Sequence, residues 1–156
     1  LTGHLVFTTV HANNVFNVLN RFKYMGVESF SFVSALNCII SQRLVKLLCQ
    51  DCAVTDDVAH FANSLSEKDL KMDIQSIKKA VGCPACYHTG YRNRMPINEL
   101  LIVDDSIQDQ LVRQDSLESI KASALAQGKW ISNSQQLVSL LNSGLIDTKQ
   151  FLRYIE

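Results

Sequence analysis

Four of the chain's five cysteines stand as two Cys-x-x-Cys pairs, Cys49 with Cys52 and Cys83 with Cys86. Two residues between cysteines let both sulfurs of one turn point at a single ion, and two such turns supply the four-sulfur tetrahedral set that structural zinc takes. The stretch between the pairs exceeds the about 15 to 20 residues of a simple ribbon, so helices are expected to fill it. A site whose four ligands are all thiolates keeps no position open for water or substrate, so the expected Zn²⁺ is structural. The competing readings are a redox pair of the thioredoxin kind, which needs one Cys-x-x-Cys at a strand-to-helix turn, and four merely buried thiols; an odd cysteine count does not suit a disulfide framework. Four thiolates on Zn²⁺ leave a charge of about −2. Lys46, Lys78, Lys79 and Arg92 lie near the ligands in sequence. They either offset that charge or are ordinary solvated side chains. The fifth cysteine, Cys38, falls on an apolar helical stripe and is expected in a core, as a small hydrophobe.

With 156 residues the chain is about one domain long and able to bury a core. Hydrophobic residues at 47% and charged residues at 19% exclude a disordered chain. Lys plus Arg and Asp plus Glu balance at 15 each, which provides no basic field for nucleic acid. No apolar run approaches the about 18 residues of a membrane span, and no signal-peptide pattern is present, so direct membrane insertion is not expected and the expected location is cytoplasmic. The chain opens at Leu1 rather than Met, close to a strand-like run, so it is expected to begin inside a fold.

Along the chain, Leu5 to Val10 predicts a buried strand. Asn13 or Asn14 caps a helix carrying Val15, Val18, Leu19 and Phe22 and stopped by Gly26. From Ser29, the spacing of Val33, Leu36, Ile40, Leu44, Leu47 and Leu48 predicts one long helix running into Cys49. The excursion between Cys52 and Cys83 offers helix starts at Thr55-Asp56-Asp57 and Ser66-Glu67-Lys68-Asp69 and few large apolar residues. Tyr91 to Val103 predicts one or two short strands, with Pro96 marking an edge. Three helices follow: about 105 to 113, one opened at Asp115-Ser116-Leu117-Glu118 and closed by Gly128, and one from about 133 to Gly144. Asp147 caps a last short helix.

His4 and His11 flank the first predicted strand, but their odd offset points them to opposite faces, which makes them poor partners for one metal. No His-Glu-x-x-His element, nucleophile turn or G-x-x-x-x-G-K-[ST] phosphate loop occurs in the sequence. The residues alone build no catalytic centre.

The run Leu1-Thr2-Gly3-His4-Leu5-Val6-Phe7-Thr8-Thr9-Val10-His11-Ala12-Asn13 resembles the histidine box of the type II secretion and type IV pilus assembly ATPases. Met25-Gly26-Val27, Ser41-Gln42-Arg43-Leu44-Val45, Gly82-Cys83-Pro84-Ala85-Cys86 and Thr89-Gly90-Tyr91-Arg92-Asn93-Arg94 resemble that family in the same order. The likeness covers about residues 1 to 103, and the later helices fit by pattern. It implies an α/β fold: the C-terminal half of a RecA-like P-loop ATPase domain, mainly helical, with a tetracysteine zinc-binding insertion and a C-terminal helical region. The implied division is 1–48 for the distal ATPase part, 49–90 for the zinc subdomain and 91–156 for the C-terminal strands and helices.

The resemblance further implies a homohexameric ring, peripheral at the inner membrane, that works against secretion or pilus platform proteins. The family's phosphate loop, acidic box and magnesium-binding motif lie upstream of the histidine box. ATP and Mg²⁺ therefore belong to a full-length parent, and this stretch alone is expected to be inactive. By the same likeness His11 faces the terminal phosphates, with His4 supporting the box; Arg21 and Arg43 fall in matching stretches with no role assigned. The cysteine pairs favour an assembly or secretion motor over the retraction ATPases, which generally lack them. The rival reading is a stand-alone zinc-stabilised protein-interaction module that binds no nucleotide. A zinc-dependent nucleic-acid binder lacks the basic face it would need.

Overall fold

The computed structural model describes residues 3–24, 29–62, 65 and 72–155. Helices and strands mix along the chain in the order α1 (Val15–Tyr24), α2 (Ser29–Ala35), β1 (Cys38–Leu48), β2 (Val54–Thr55), α3 (Val58–Ala62), β3 (Lys78–Lys79), β4 (Tyr91–Ile102), α4 (Asp105–Val112), α5 (Leu117–Ala126), β5 (Trp130–Ile131), α6 (Ser134–Asn142) and α7 (Thr148–Tyr154). This is an α/β chain with small sheets. One sheet has the order β1-β4-β5, with Leu100 opposite Ile131 and Leu101 opposite Trp130 in an antiparallel pair; β2 and β3 form a separate antiparallel pair. Two compact units divide the residues: 1–41 with 99–131, and 42–98 with 132–156.

In the first unit, Asn14 opens α1 as expected, its Oδ1 accepting from Asn17 N at 2.8 Å. The i, i+3, i+4 stripe of the helix buries Val15, Val18 and Leu19, with Phe16 beside them, against Leu101, Val103, Ile107, Ile120 and Ala124. Asp104 and Ser116 cap α4 and α5 by accepting from Ile107 N and Ser119 N. The second unit packs Val45, Phe61, Ile77, Ile97, Leu137, Leu141, Ile146 and Phe151 into its own core. Asp147 caps α7 by accepting from Gln150 N, again as the sequence predicts.

Several expectations are corrected. The predicted long helix ends at Ala35, and the chain then runs as β1 through Leu48. Two stripe positions, Ile40 and Leu44, are 64% and 50% exposed, whereas Ile39 and Val45 are buried in a period of two. Cys38 accordingly opens a strand and is exposed rather than sitting in a core. The run from Leu5 to Val10 forms no strand, and Phe7 is 88% exposed. A strand needs a partner for its backbone groups, and no described strand of this chain flanks this run. The excursion is better anchored than its composition suggests, because Phe61 and Ile77 enter the second core, Phe61 edge-on to Phe151.

β4 is a single strand whose inward positions are Ile97, Glu99 and Leu101. It lies between β1 and β5 in the sheet order, so the edge expected at Pro96 is corrected to a central strand, although β5 reaches only Leu100 and Leu101 and Pro96 removes no donor needed by that pair. Nearby, Asn98 N donates to the side-chain oxygen of Gln136. The helix stop at Gly26 and the helix start at Ser66-Glu67-Lys68-Asp69 lie outside the described residues.

Candidate metal centre

Cys49 and Cys52 follow the end of β1, and Cys83 and Cys86 bracket a short 3-10 turn, Pro84–Cys86. Each pair curls into a knuckle by backbone hydrogen bonding: Cys52 N and Ala53 N donate to Cys49 O, while Cys86 N and His88 N donate to Cys83 O. Cys49 N donates to Gly90 O at 2.9 Å and ties one knuckle to the other.

The four sulfurs converge within 4.8 Å of one another. The Cys49–Cys83 and Cys52–Cys86 separations are 3.9 Å and the Cys83–Cys86 separation is 3.8 Å. Four sulfurs each about 2.3 Å from a shared ion, placed tetrahedrally, lie about 3.8 Å apart. These three separations match that edge length, and the cluster could hold a metal ion. All four are free thiols, with Cys49 and Cys86 buried and Cys52 and Cys83 half-buried. Among the described residues no other group of three or more His, Cys, Asp or Glu side chains converges in this way.

Backbone N–H groups aim at the sulfurs. Gly82 N donates to Cys52 Sγ at 3.3 Å, and Cys83 N and Gly90 N both donate to Cys86 Sγ at 3.2 Å. Burial opposes the Cys86 thiolate, but these N–H donors, with help from the neighbouring Cys83 and Cys52 thiols, outweigh it and bring Cys86 down to about 6. Burial pushes Cys49 up to about 11, and burial also raises Cys52. A cluster that holds a thiolate at Cys86 readily and resists thiolates at Cys49 and Cys52 is suited to a cation that supplies the missing charge.

Two glycines make the backbone path possible. Gly90 has φ +76, and a Cβ there would lie 2.6 Å from Ala80 Cβ; Gly82 has φ +111, and its Cβ would lie 2.7 Å from His88 O. Tyr87 and His88 both take left-handed φ values between them. The sequence motifs contain both glycines, Gly82 directly before Cys83 and Gly90 four residues after Cys86, but their conformational role appears only in the structure.

The basic residues near the ligands separate into distinct roles. Arg92 Nη1 lies 3.9 Å from Asp51 Oδ2, the same oxygen that stands 3.9 Å from Cys49 Sγ. Lys79 instead pairs with Asp56 at 3.0 Å, Lys46 Nζ sits 5.8 Å from the centre of the Tyr91 ring, and the Lys78 stem runs against Gly144. The knuckles dock on the turn between α6 and α7: Leu48 N donates to Leu145 O, Gln50 Nε2 donates to Gly144 O, and Tyr91 Oη donates to Asp147 Oδ2. Burial and the Asp147 carboxylate together raise the Tyr91 phenol, so it remains a donor.

His4 and His11 lie in the other unit, exposed in a stretch without helix or strand. Arg21 Nη1 donates to His11 O at 3.0 Å, and Ser41 Oγ donates to Asn13 O at 3.5 Å, so the backbone between His11 and α1 is held from two sides. Arg43 lies half-buried on β1.

A family model described as type II/IV secretion system protein matches residues 1–153, and the chain belongs to that family. Over 109 residues it is 40% identical to the type II secretion system ATPase E of Vibrio cholerae, covering 70% of this chain and 22% of that protein. It is 40% identical over 131 residues to the type IV pilus assembly ATPase PilB of Thermus thermophilus, covering 82% of this chain and 14% of that protein. The type II secretion system protein E of Aeromonas hydrophila is 37% identical over 111 residues, 71% of this chain and 22% of the relative. The chain thus spans well under a quarter of the length of these relatives. No described helix is long and apolar enough to cross a membrane.

Proposed function

We propose that the chain is the C-terminal part of a cytoplasmic ATPase that powers type II protein secretion or type IV pilus assembly. The family match over residues 1–153, which takes in both the histidine segment and the four cysteines, carries this reading. In it, the chain forms the distal half of a RecA-like domain within a homohexameric ring, peripheral at the inner membrane against secretion or pilus platform proteins. Residues 1–48, 49–90 and 91–156 then serve as distal ATPase part, zinc subdomain and C-terminal region. The high exposure of Leu5, Val6 and Phe7 supports the view that this run pairs with a strand elsewhere in the polypeptide.

Cys49, Cys52, Cys83 and Cys86 hold Zn²⁺ as a closed structural site, and the ion supplies a crosslink between the two knuckles. ATP and Mg²⁺ bind chiefly through upstream segments, since no phosphate-loop pattern occurs in these residues. His11 meets the terminal phosphates there, with His4 in support. A neutral imidazole in that place donates a hydrogen bond that strengthens as charge develops on the transferring phosphoryl group.

The test is ATP hydrolysis by the full-length gene product beside this chain alone. The full-length protein should turn over ATP while the isolated chain stays at the buffer blank, and His11→Ala in the full-length protein should lower kcat more than it raises KM. A full-length product without ATP turnover would overturn the reading.

A further inference from the structure

β4 alternates, and its inward positions at Ile97 and Leu101 are apolar, so position 99 should be apolar too. It carries Glu99, only 6% exposed. Its Oε2 accepts from Val15 N, the first residue of α1, at 3.1 Å, and its Oε1 accepts from the Trp130 indole N–H at 2.8 Å. A backbone N–H and an indole N–H are both pure donors, so both side-chain oxygens must accept. A carboxylate meets that demand; a glutamine offers one acceptor and turns an NH₂ group toward the other donor.

The N–H of Val15 is among the first-turn donors that α1 cannot satisfy internally, and negative charge is favoured at that helix end. Trp130 is itself fixed, edge-on to Phe16 at 5.3 Å and with Lys121 Nζ 4.7 Å from the centre of its ring. Glu99 therefore clamps the start of α1 to β4 and β5. The backbone just before Val15 leads to His11, whose carbonyl is held by Arg21 from the next turns of the same helix.

We propose that Glu99 is a positioning residue for ATP turnover: it sets the start of α1 and, through it, the pose of His11. The proposal rests on the functional reading of His11 given above. It assigns a role to a strand residue outside the histidine segment and outside the metal site, and the role requires two acceptor oxygens at position 99.

The experiment uses the full-length protein with four forms: wild type, Glu99→Gln, His11→Ala and the double variant. Losing one buried hydrogen bond and turning an NH₂ group onto its donor is expected to lower kcat about tenfold in Glu99→Gln with KM for ATP unchanged. Adding Glu99→Gln to His11→Ala should lower kcat no further, because the group being positioned is already gone. Trp130→Phe keeps a ring against Phe16 and removes only the indole donor. It is the milder second variant should Glu99→Gln not fold, with a smaller loss that again vanishes in the His11→Ala background. If Glu99→Gln turns over at the wild-type rate, or slows both backgrounds equally, Glu99 is structural only and the proposal falls. If His11→Ala itself keeps the wild-type rate, the reading of His11 falls first and the proposal falls with it.

Discussion

Stripping the metal with a chelator should release the two knuckles and leave most of the second unit standing. A structural zinc site is worth on the order of 10 kcal/mol in small zinc-dependent peptides, and on the proposed reading it would order two stretches, roughly 49–53 and 82–90, in which Cys49 and Cys86 are the buried side chains that could act as anchors. Each ordered residue costs about 1–2 kcal/mol of backbone entropy, so without the ion these turns have little to hold them. The middle of the excursion differs. Phe61 and Ile77 are buried among Leu137, Leu141 and Phe151, and two such side chains contribute roughly 3–6 kcal/mol together. That is enough to keep the segment near the core and too little to keep the knuckles folded. Hydrogen exchange should therefore show the amides of Cys52, Ala53, Cys86, His88 and Thr89, all hydrogen-bonded within the knuckles, losing protection by about a hundredfold or more after chelation. Asp56, which donates to Ile77 O, should lose less, and β1 near Val45 should hold. Uniform loss of protection along the chain would refute this reasoning and make the metal a keystone of the whole fold; unchanged knuckle amides would refute the metal's role altogether.

Gly90→Ala should destabilise the metal-bound form by more than about 1 kcal/mol, because a Cβ at φ +76 is strained and would meet Ala80 at 2.6 Å. Denaturant melts of the metal-loaded protein check this, and a wild-type midpoint would contradict it. Asp104 is held below the usual carboxylate range, first by the hydrogen bond from Lys129 and then by Ile107 N. Its folded pKa is depressed, so its contribution is complete above the unfolded value of about 3.9 and is lost as pH falls through the lower folded value. Asp104→Asn should therefore lower the urea midpoint at neutral pH, and the gap to wild type should close as the pH drops below about 4. A gap that stays constant with pH would contradict the charge-based account.

The convergence of the four cysteines is legible because Cys-x-x-Cys spacing is a local property, and two local turns suffice to bring four sulfurs together. Helix caps are legible for the same reason: Asn14, Ser116 and Asp147 all accept from the first turn of the helix they precede, and Asp104 does the same for α4, where the sequence reading gives only the helix. β1 was misread because its two faces are nearly equally apolar. Ser41 and Arg43 occupy inward-alternating positions, and Ile40 and Leu44 face out, so a helical stripe fitted the letters as well as a strand did. The β-branched Ile39, Ile40 and Val45 are the contrary signal. Glu99 was invisible for a different reason. A carboxylate in a strand pattern reads as an outward residue unless its partners are known, and Val15 and Trp130 are far from it in sequence. Docking of the knuckles onto the α6–α7 turn, through Leu145, Gly144 and Asp147, likewise depends on long-range contacts that no local pattern encodes.

X-ray absorption at the zinc edge, on protein purified without chelator, decides whether the four cysteines form a closed zinc site. The sulfur separations of 3.8–3.9 Å predict one zinc per chain with four sulfur neighbours at about 2.3 Å and no lighter ligand. Fewer than four sulfurs, a nitrogen or oxygen in the coordination shell, or protein that carries no zinc would contradict the closed four-thiolate site.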